Sequence, residues 1–416
     1  MDRPGALPLE DRAVAPDLAR GAMLLLIALA NGHVWLYGRV VGPRGYPAGL
    51  AGPDRVVAAL QLLLVDGRAY PLFGLLFGYG VTQLARRRGA AGLPPDEVVR
   101  LVRRRGGGMT AIGFVLGVLL WTGDIVGAYG LLAVLLAGVL VRGGPGSLAG
   151  IALGGAVSGT ALGAFAALAP RPGTTATLPS VAVVDPVTAA AARLVEWGVV
   201  GLLVQAGVVA SAVAAGAWAG RRRLLEDPAR HRPLLVRLAV AGLAAAVLGG
   251  LPLALVVAGV WGASTPALLV CGVLHAAGGY AGGVGYAALF GLLAARAGHR
   301  LGPAARAVRA CGQRSLSCYL AQSVAFAALL PAWSLGLGAH LTVARTALLA
   351  VGVWAVILVV AAVSARAGYR GPAEVLLRRL TYGPTPRPVS GRRSGGRPGG
   401  GPVPPGPPWR PGGRRG

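Results

Sequence analysis

A histidine beside a carboxylate is what general-base activation of an acceptor hydroxyl or amine requires. His33 and Asp66 are the residues of this chain that suit that role, each standing where an apolar stretch meets a loop. Asn31 lies two residues before His33, and Arg68 two residues after Asp66, so both are candidates to hold the acceptor. The plainer alternative is an interfacial histidine hydrated by headgroups, with Asp66 and Arg68 as a structural pair.

A second set of polar residues lies near the other ends of the apolar stretches. Asp17 and Arg20 are three apart and share a helix face. They read as an anchoring pair or, at Arg20, as a site for an anionic cofactor phosphate. Arg314 precedes Tyr319, Gln322 and Ser323, which recur at three- and four-residue spacing and face one way. Their amide and hydroxyls are either packing glue or the lining of a pocket in which Arg314 and Gln322 hold a cofactor and Tyr319 a substrate. His275, deep in an apolar run, reads first as an interhelical hydrogen-bonding group. Asp124 reads as a turn residue, and Glu196 as a solvated helix-start acid beside Arg193. The sequence has no Ser/His/Asp triad, metal-ligand cluster or nucleotide loop. Cys271, Cys311 and Cys318 lack paired spacing and imply neither disulfides nor zinc.

The elements that must position these residues are transmembrane helices. Of the 416 residues, 55% are hydrophobic and 13% charged, and the mean hydropathy is +0.64, an excess that needs lipid. Apolar runs long enough to cross a bilayer recur at about 18–37, 69–85, 108–121, 125–141, 147–168, 195–219, 234–260, 266–295, 316–333 and 341–365. This is an all-α polytopic bundle of about ten helices. An amphipathic piece near Val56 to Val65 precedes the second, and Pro252 is placed to kink the seventh. Gly74 to Gly78, Gly113 to Gly117 and Gly278 to Gly283 supply small-residue spacings for close helix contact. Ala28-Leu29-Ala30 looks like a signal-peptidase site, but Asp2, Glu10, Asp11 and Asp17 before it are wrong for a signal peptide, so the first helix is expected to be retained.

Arginine sets the orientation, because short basic loops resist translocation. The rich segments, 86–105, 221–237, 296–314 and everything after Arg366, each follow an even-numbered helix. The first long loop carries only Arg39, Arg44, Arg55 and Arg68. Both termini are therefore expected in the cytoplasm, with residues 1–16 as a cytoplasmic segment and 17–366 as the bundle. Trp35, Trp121, Trp197, Trp261 and Trp333 all fall at expected outer ends, where tryptophan prefers the headgroup layer. Residues 367–383 read as an interfacial amphipathic helix. Residues 384–416, rich in Pro, Gly and Arg, read as a disordered tail attracted to anionic lipid headgroups. The net charge of +26 would suggest nucleic acid in a soluble protein. Here it is split into short clusters between apolar runs without a recognition motif, and no nucleic-acid partner is expected.

Four segments together resemble the YeiB-like family of bacterial multipass membrane proteins, whose C-terminal part is a domain of unknown function. They are Asp17-Leu18-Ala19-Arg20-Gly21 with the apolar run to Asn31; Asp66-Gly67-Arg68-Ala69-Tyr70 leading into Leu76-Phe77-Gly78-Tyr79-Gly80; Gly312 to Ser323; and Gly371 to Gly383. The third segment departs from the family pattern, with Gln313 before Arg314 and Ser317-Cys318 in place of Thr-Asn. The resemblance implies a bacterial plasma-membrane location. It also implies a distant likeness to membrane acyltransferases of the acyltransferase-3 and heparan glucosaminide acetyltransferase groups, which take an acyl group from a donor such as acyl-coenzyme A. A transporter or lipid-handling protein without catalysis is the alternative, and fold is implied more securely than activity.

Overall fold

Helix begins at Val14 and, with short interruptions, continues to Tyr382; the computed structural model describes residues 13–297 and 301–383. The expected tail, 384–416, most of the N-terminal segment and residues 298–300 of the 296–314 segment lie outside the described residues. The helices are α1 (Val14–Gly32), α2 (Gly52–Leu64), α3 (Ala69–Ala90), α4 (Pro95–Leu119), α5 (Val126–Arg142), α6 (Pro145–Ala166), α7 (Pro186–Glu196), α8 (Gln205–Arg221), α9 (Arg232–Val257), α10 (Thr265–Ala297), α11 (Pro303–Gln313), α12 (Ser315–Leu329), α13 (Val343–Arg366) and α14 (Pro372–Tyr382). A π-helical stretch, Trp197–Val204, joins α7 to α8 without a break.

Seven helical stretches among the described residues are long and apolar enough to cross a membrane: α1, α2 with α3, α6, α7 with α8, α9, α10 and α13. Helices α5 and α12 are apolar but shorter. Helices of this length and number make the protein an integral, multipass membrane protein. Side chains such as Leu153, Val240, Leu248, Leu348 and Val359, each more than half exposed, supply the apolar surface that lipid covers.

The arginine-rich segments are more helical than a count of charges suggests. The stretch 86–105, read from sequence as a loop, is the end of α3, a four-residue break at 91–94, and the first turns of α4. Pro95 at the first helical position with Asp96 and Glu97 behind it starts α4 well before its apolar part. Likewise α11 occupies the end of 296–314. Positive charge reports what resists crossing a bilayer, not whether the backbone is coiled.

Close packing rests on small residues. A Cβ on Gly78 of α3 would run into the Val213 carbonyl of α8, and one on Gly216 of α8 into the Leu75 carbonyl of α3, so this crossing is glycine on both sides. A Cβ on Gly278 of α10 would lie 2.7 Å from the Ala245 carbonyl of α9. Pro252 lies inside α9, where it leaves one carbonyl without its helical partner.

The loops at one end of the bundle interlock. Gly38 and Val41 donate to the carbonyls of Thr175 and Thr174, Arg44 N–H to that of Ala167, and Ala332 N–H to that of Val181. Trp35 stacks on Trp121 with ring centroids 4.1 Å apart and meets Phe326 edge-on. Trp35, Trp121 and Trp197 are buried within the protein, whereas Trp261 is exposed. Three tryptophans read as headgroup anchors thus pack inside the protein, Trp35 and Trp121 against each other and Phe326, and Trp197 against Phe114 and the glycines Gly117 and Gly127. At the other end, Glu374 of α14 accepts from the backbone N–H groups of Leu316 and Ser317, at 2.8 and 3.2 Å. This caps α12 from a separate helix and buries Leu377 against Gly108 of α4.

Candidate functional site

The interlocked end encloses a cavity of about 450 Å³ whose polar lining includes Asn31, His33, Arg44, Asp66, Tyr70 and Thr177. Each arrives for a local reason. Helix α1 ends at Gly32, and His33 begins a tight 3₁₀ turn that swings its ring off the helix axis. Gly67, at φ +76°, breaks the chain between α2 and α3, leaving Asp66 on one side of the turn and Arg68 on the other. A side chain on Gly67 would meet the imidazole of His275, so the turn and α10 are matched in shape.

Arg44 is the residue that sequence reading missed. It sits in the 3₁₀ turn Pro43–Gly45 at φ +61°, a left-handed conformation costly for a residue with a Cβ. That turn drives its guanidinium onto Asp66 in a two-pronged pair, Nε to Oδ2 at 2.9 Å and Nη2 to Oδ1 at 3.0 Å. Burial opposes the Arg44 charge, but Asp66 outweighs it and raises the Arg44 pKa above its ordinary value. The signal in the sequence was Pro-Arg-Gly, which marks a turn but not what the turn presents.

His33 stacks face to face on Tyr46, with ring centroids 3.9 Å apart and planes within 6°. Tyr46 donates to Gln61 Oε1 at 3.2 Å, and Gln61 in turn donates to the Leu29 carbonyl of α1 at 3.3 Å. Burial pushes the Tyr46 phenol well above its usual pKa, so it stays a neutral donor. The ring of His33 is thereby oriented, with its Nδ1 buried and the backbone of Ala30 and Arg44 alongside the imidazole. No hydrogen bond joins His33 to Asp66, whose two oxygens are both engaged by Arg44. The two share a cavity without forming a dyad.

Arg68 lies behind this layer, fully buried, and its pairing differs from the expected one. It donates to the Asp66 backbone carbonyl rather than to the carboxylate, to the Ala246 carbonyl of α9, and contacts His275 Nδ1 at 3.0 Å. His275 Nε2 is 4.0 Å from Asp66 Oδ2. The interhelical role read for His275 thus corresponds to a network that ties α3 to α9 and α10. Tyr70 donates to Asn31 Oδ1, and Asn31 also borders a second, tighter space of about 10 Å³ with Trp35, Trp121, Tyr319, Gln322 and Ser323. Gln322 Oε1 is buried there without a partner among the described residues.

The remaining candidates are apart from the cavity. Arg20 pairs with Asp17 at 3.5 Å and donates to the Leu76 carbonyl at 3.2 Å. Arg314 is buried and donates through Nε to the Tyr369 carbonyl at 3.0 Å and through Nη1 to the Ala310 carbonyl at 3.1 Å. Gln322 lies eight residues along α12 from Arg314, roughly 12 Å, so the structure does not bring these cofactor candidates together. Gln322 and Tyr319 sit instead with Asn31.

Asp124 is more than a turn residue. It is buried and accepts from the N–H groups of Val126 and Gly127 at 3.0 and 2.7 Å, capping α5, with Trp197 and Tyr319 alongside. Burial pushes its carboxyl up to about 7, despite the two backbone donors that favour the anion. Glu196 is not at a helix start. It ends α7 and accepts from Ser180 N–H and Oγ at 2.9 and 2.6 Å, pinning the 167–185 loop that roofs the cavity.

No curated protein matches the chain. Residues 219–384 match the model of a family described as a protein of unknown function, DUF418.

Proposed function

We propose that this is a YeiB-like bacterial plasma-membrane protein of ten spans with both termini in the cytoplasm, and that the His33 cavity is the acceptor site of a membrane acyltransferase. The match of residues 219–384 to a family of unknown function supports the family reading; the seven long apolar stretches with the shorter α5 and α12 make nine, and the apolar second half of α4 is the tenth in this reading. The observation that carries the catalytic reading is the His33 ring, held face to face by Tyr46 and lining a cavity of about 450 Å³.

In this reading His33 takes the proton of an acceptor hydroxyl or amine as that atom attacks the acyl carbonyl of a thioester. The carbon–sulfur bond breaks, and the departing thiolate receives a proton. Asn31 with Tyr70 and Arg68 behind Asp66 fix the acceptor and the pocket wall, and Tyr319 and Gln322 extend the polar wall inward. Arg20 and Arg314 are the positions for donor phosphates, on condition that they exchange their present carbonyl partners for the donor.

In purified full-length protein supplied with an acyl-coenzyme A, His33→Ala is expected to abolish acyl incorporation into envelope glycans or lipids with little loss of thermal stability. Unchanged incorporation would sink the assignment. A second reading, lipid handling without chemistry, is favoured by the apolar wall of the cavity at Phe165, Leu168 and Ala169. Lipid or solute flux in liposomes with no acyl product would select it.

A further inference from the structure

The cavity lies at the depth of a lipid headgroup and opens beside lipid. Helix α6 has 22 residues, roughly 33 Å of helix against about 30 Å of hydrocarbon, so its last turn stands at the edge of the apolar layer. Phe165, in that last turn, lines the cavity while remaining 67% exposed. Below it, Leu153, Val157 and Ala161 are also exposed. These four recur every fourth residue and make one apolar stripe on the outer face of α6. Leu153 to Phe165 is twelve residues, roughly 18 Å, close to the thickness of one leaflet.

The polar floor of the cavity carries an unbalanced charge. Arg44 on the cavity wall is paired with Asp66, and Arg68, buried behind them, has no carboxylate partner of its own, which leaves one positive charge around the cavity before either histidine takes a proton. No second carboxylate lines the cavity among the described residues. Asp66 uses Nε and Nη2 of Arg44, so Nη1 is the donor left for a ligand. A buried excess charge is costly without a counter-ion, and phosphate is an anion that guanidinium binds well.

We infer that the cavity binds an anionic phospholipid, its phosphate on Arg44 beside Asn31 and its acyl chain along the Leu153–Phe165 stripe of α6. This rests on the acceptor-site reading only in naming that acceptor as lipid. The site itself stands on charge and shape.

The test is selective lipid retention by the full-length protein purified in detergent, comparing phosphatidylglycerol with phosphatidylcholine. Phosphatidylglycerol is expected to be retained at least about tenfold better, and Arg44→Gln to remove most of that preference, since a hydrogen bond to a charged group is worth about 1.5–3 kcal/mol. Phe165→Ala, which removes the ring without setting a charge against lipid, is expected to weaken retention several-fold. Retention equal for the two lipids, or unchanged in either variant, overturns the inference. Displacement by glycerol 3-phosphate at concentrations matching the lipid would assign the site to a soluble phosphate instead and overturn it too. Selective retention without acyl incorporation keeps the lipid site and fails the transferase reading. Incorporation into a soluble acceptor with no lipid retention does the reverse.

Discussion

The two ends of the bundle treat arginine in opposite ways. At the end formed by α11, α14 and the α3–α4 and α8–α9 connections, arginines close off helix carbonyls. Arg221 donates to Val139 and Leu140 at 3.2 Å and also to Gly143, all at the C-terminus of α5. Arg314 donates to the Ala310 carbonyl in the last turn of α11 and to that of Tyr369 in the α13–α14 link, and Arg86 reaches both Gly220 and Glu226. These cations satisfy orphan carbonyls and the negative end of a helix dipole. At the cavity end, Arg44 and Arg68 are held against Asp66 and His275 within a layer where charge is expensive, Arg44 in a two-pronged pair with the carboxylate and Arg68 against the His275 ring. The first arrangement closes helix ends; the second concentrates buried charge around the cavity.

The comparison is sharpest at its two buried arginines. Arg68→Ala removes a guanidinium that joins three helices and leaves Asp66 with one fewer positive neighbour, a break of the kind that costs about 3–5 kcal/mol. Arg314→Ala loses hydrogen bonds to carbonyls, and removing a partner there costs about 1–3 kcal/mol. Thermal unfolding of the two variants in detergent is expected to rank Arg68→Ala well below Arg314→Ala. The opposite ranking would mean that the cavity network is the more dispensable of the two.

Asp124 gives a smaller effect, readable through pH. Its folded pKa of about 7 lies above the ordinary carboxyl value of 3.8. A raised acid pKa means that folding favours the protonated form. The contribution is therefore complete below about 4 and is lost as pH rises through about 7. Wild-type protein is expected to lose thermal stability between pH 5 and pH 8 relative to Asp124→Asn, which has no proton to release at that position. Parallel pH profiles for the two proteins would show that Asp124 stays charged throughout.

How much of this was legible in the sequence follows the same division. Hydropathy is a sum over twenty residues, so the long helices from α1 to α13 could be read directly, as could the small-residue crossings and the short helix α14. His33, Asp66, Asn31 and Arg68 were found because ionisable and amide groups are rare in apolar sequence. Arg44 was not, because nothing local tells a solvated loop arginine from one folded back onto Asp66. That contact depends on a left-handed turn and on a loop pinned through Thr174, Thr175 and Ala167. The burial of Trp35, Trp121 and Trp197 was not legible either, since a headgroup anchor and a tryptophan packed at the end of a helix have identical sequence signatures. The early start of α4 was signalled by Pro95, Asp96 and Glu97, but the same residues occur in polar loops, so a charge-rich segment alone does not tell the two apart.

The weakest expected effect lies at the arginine end, where a charge pair stands in the open. Arg142 pairs with Asp96, and their side chains are 52% and 70% exposed. Each already occupies a favourable place, Asp96 in the first turn of α4 and Arg142 in the last turn of α5, so the helix dipoles account for part of what the pair contributes. Water screens the remainder, and exposed pairs of this kind measure about 0–1 kcal/mol. A double-mutant cycle of Asp96→Ala and Arg142→Ala, read by thermal unfolding, is expected to return a coupling indistinguishable from zero at 0.15 M salt and a small one at low salt. A coupling as large as the loss in Arg68→Ala would break the contrast between the ends, because it would make surface pairing at α4 and α5 as consequential as the buried network behind the cavity.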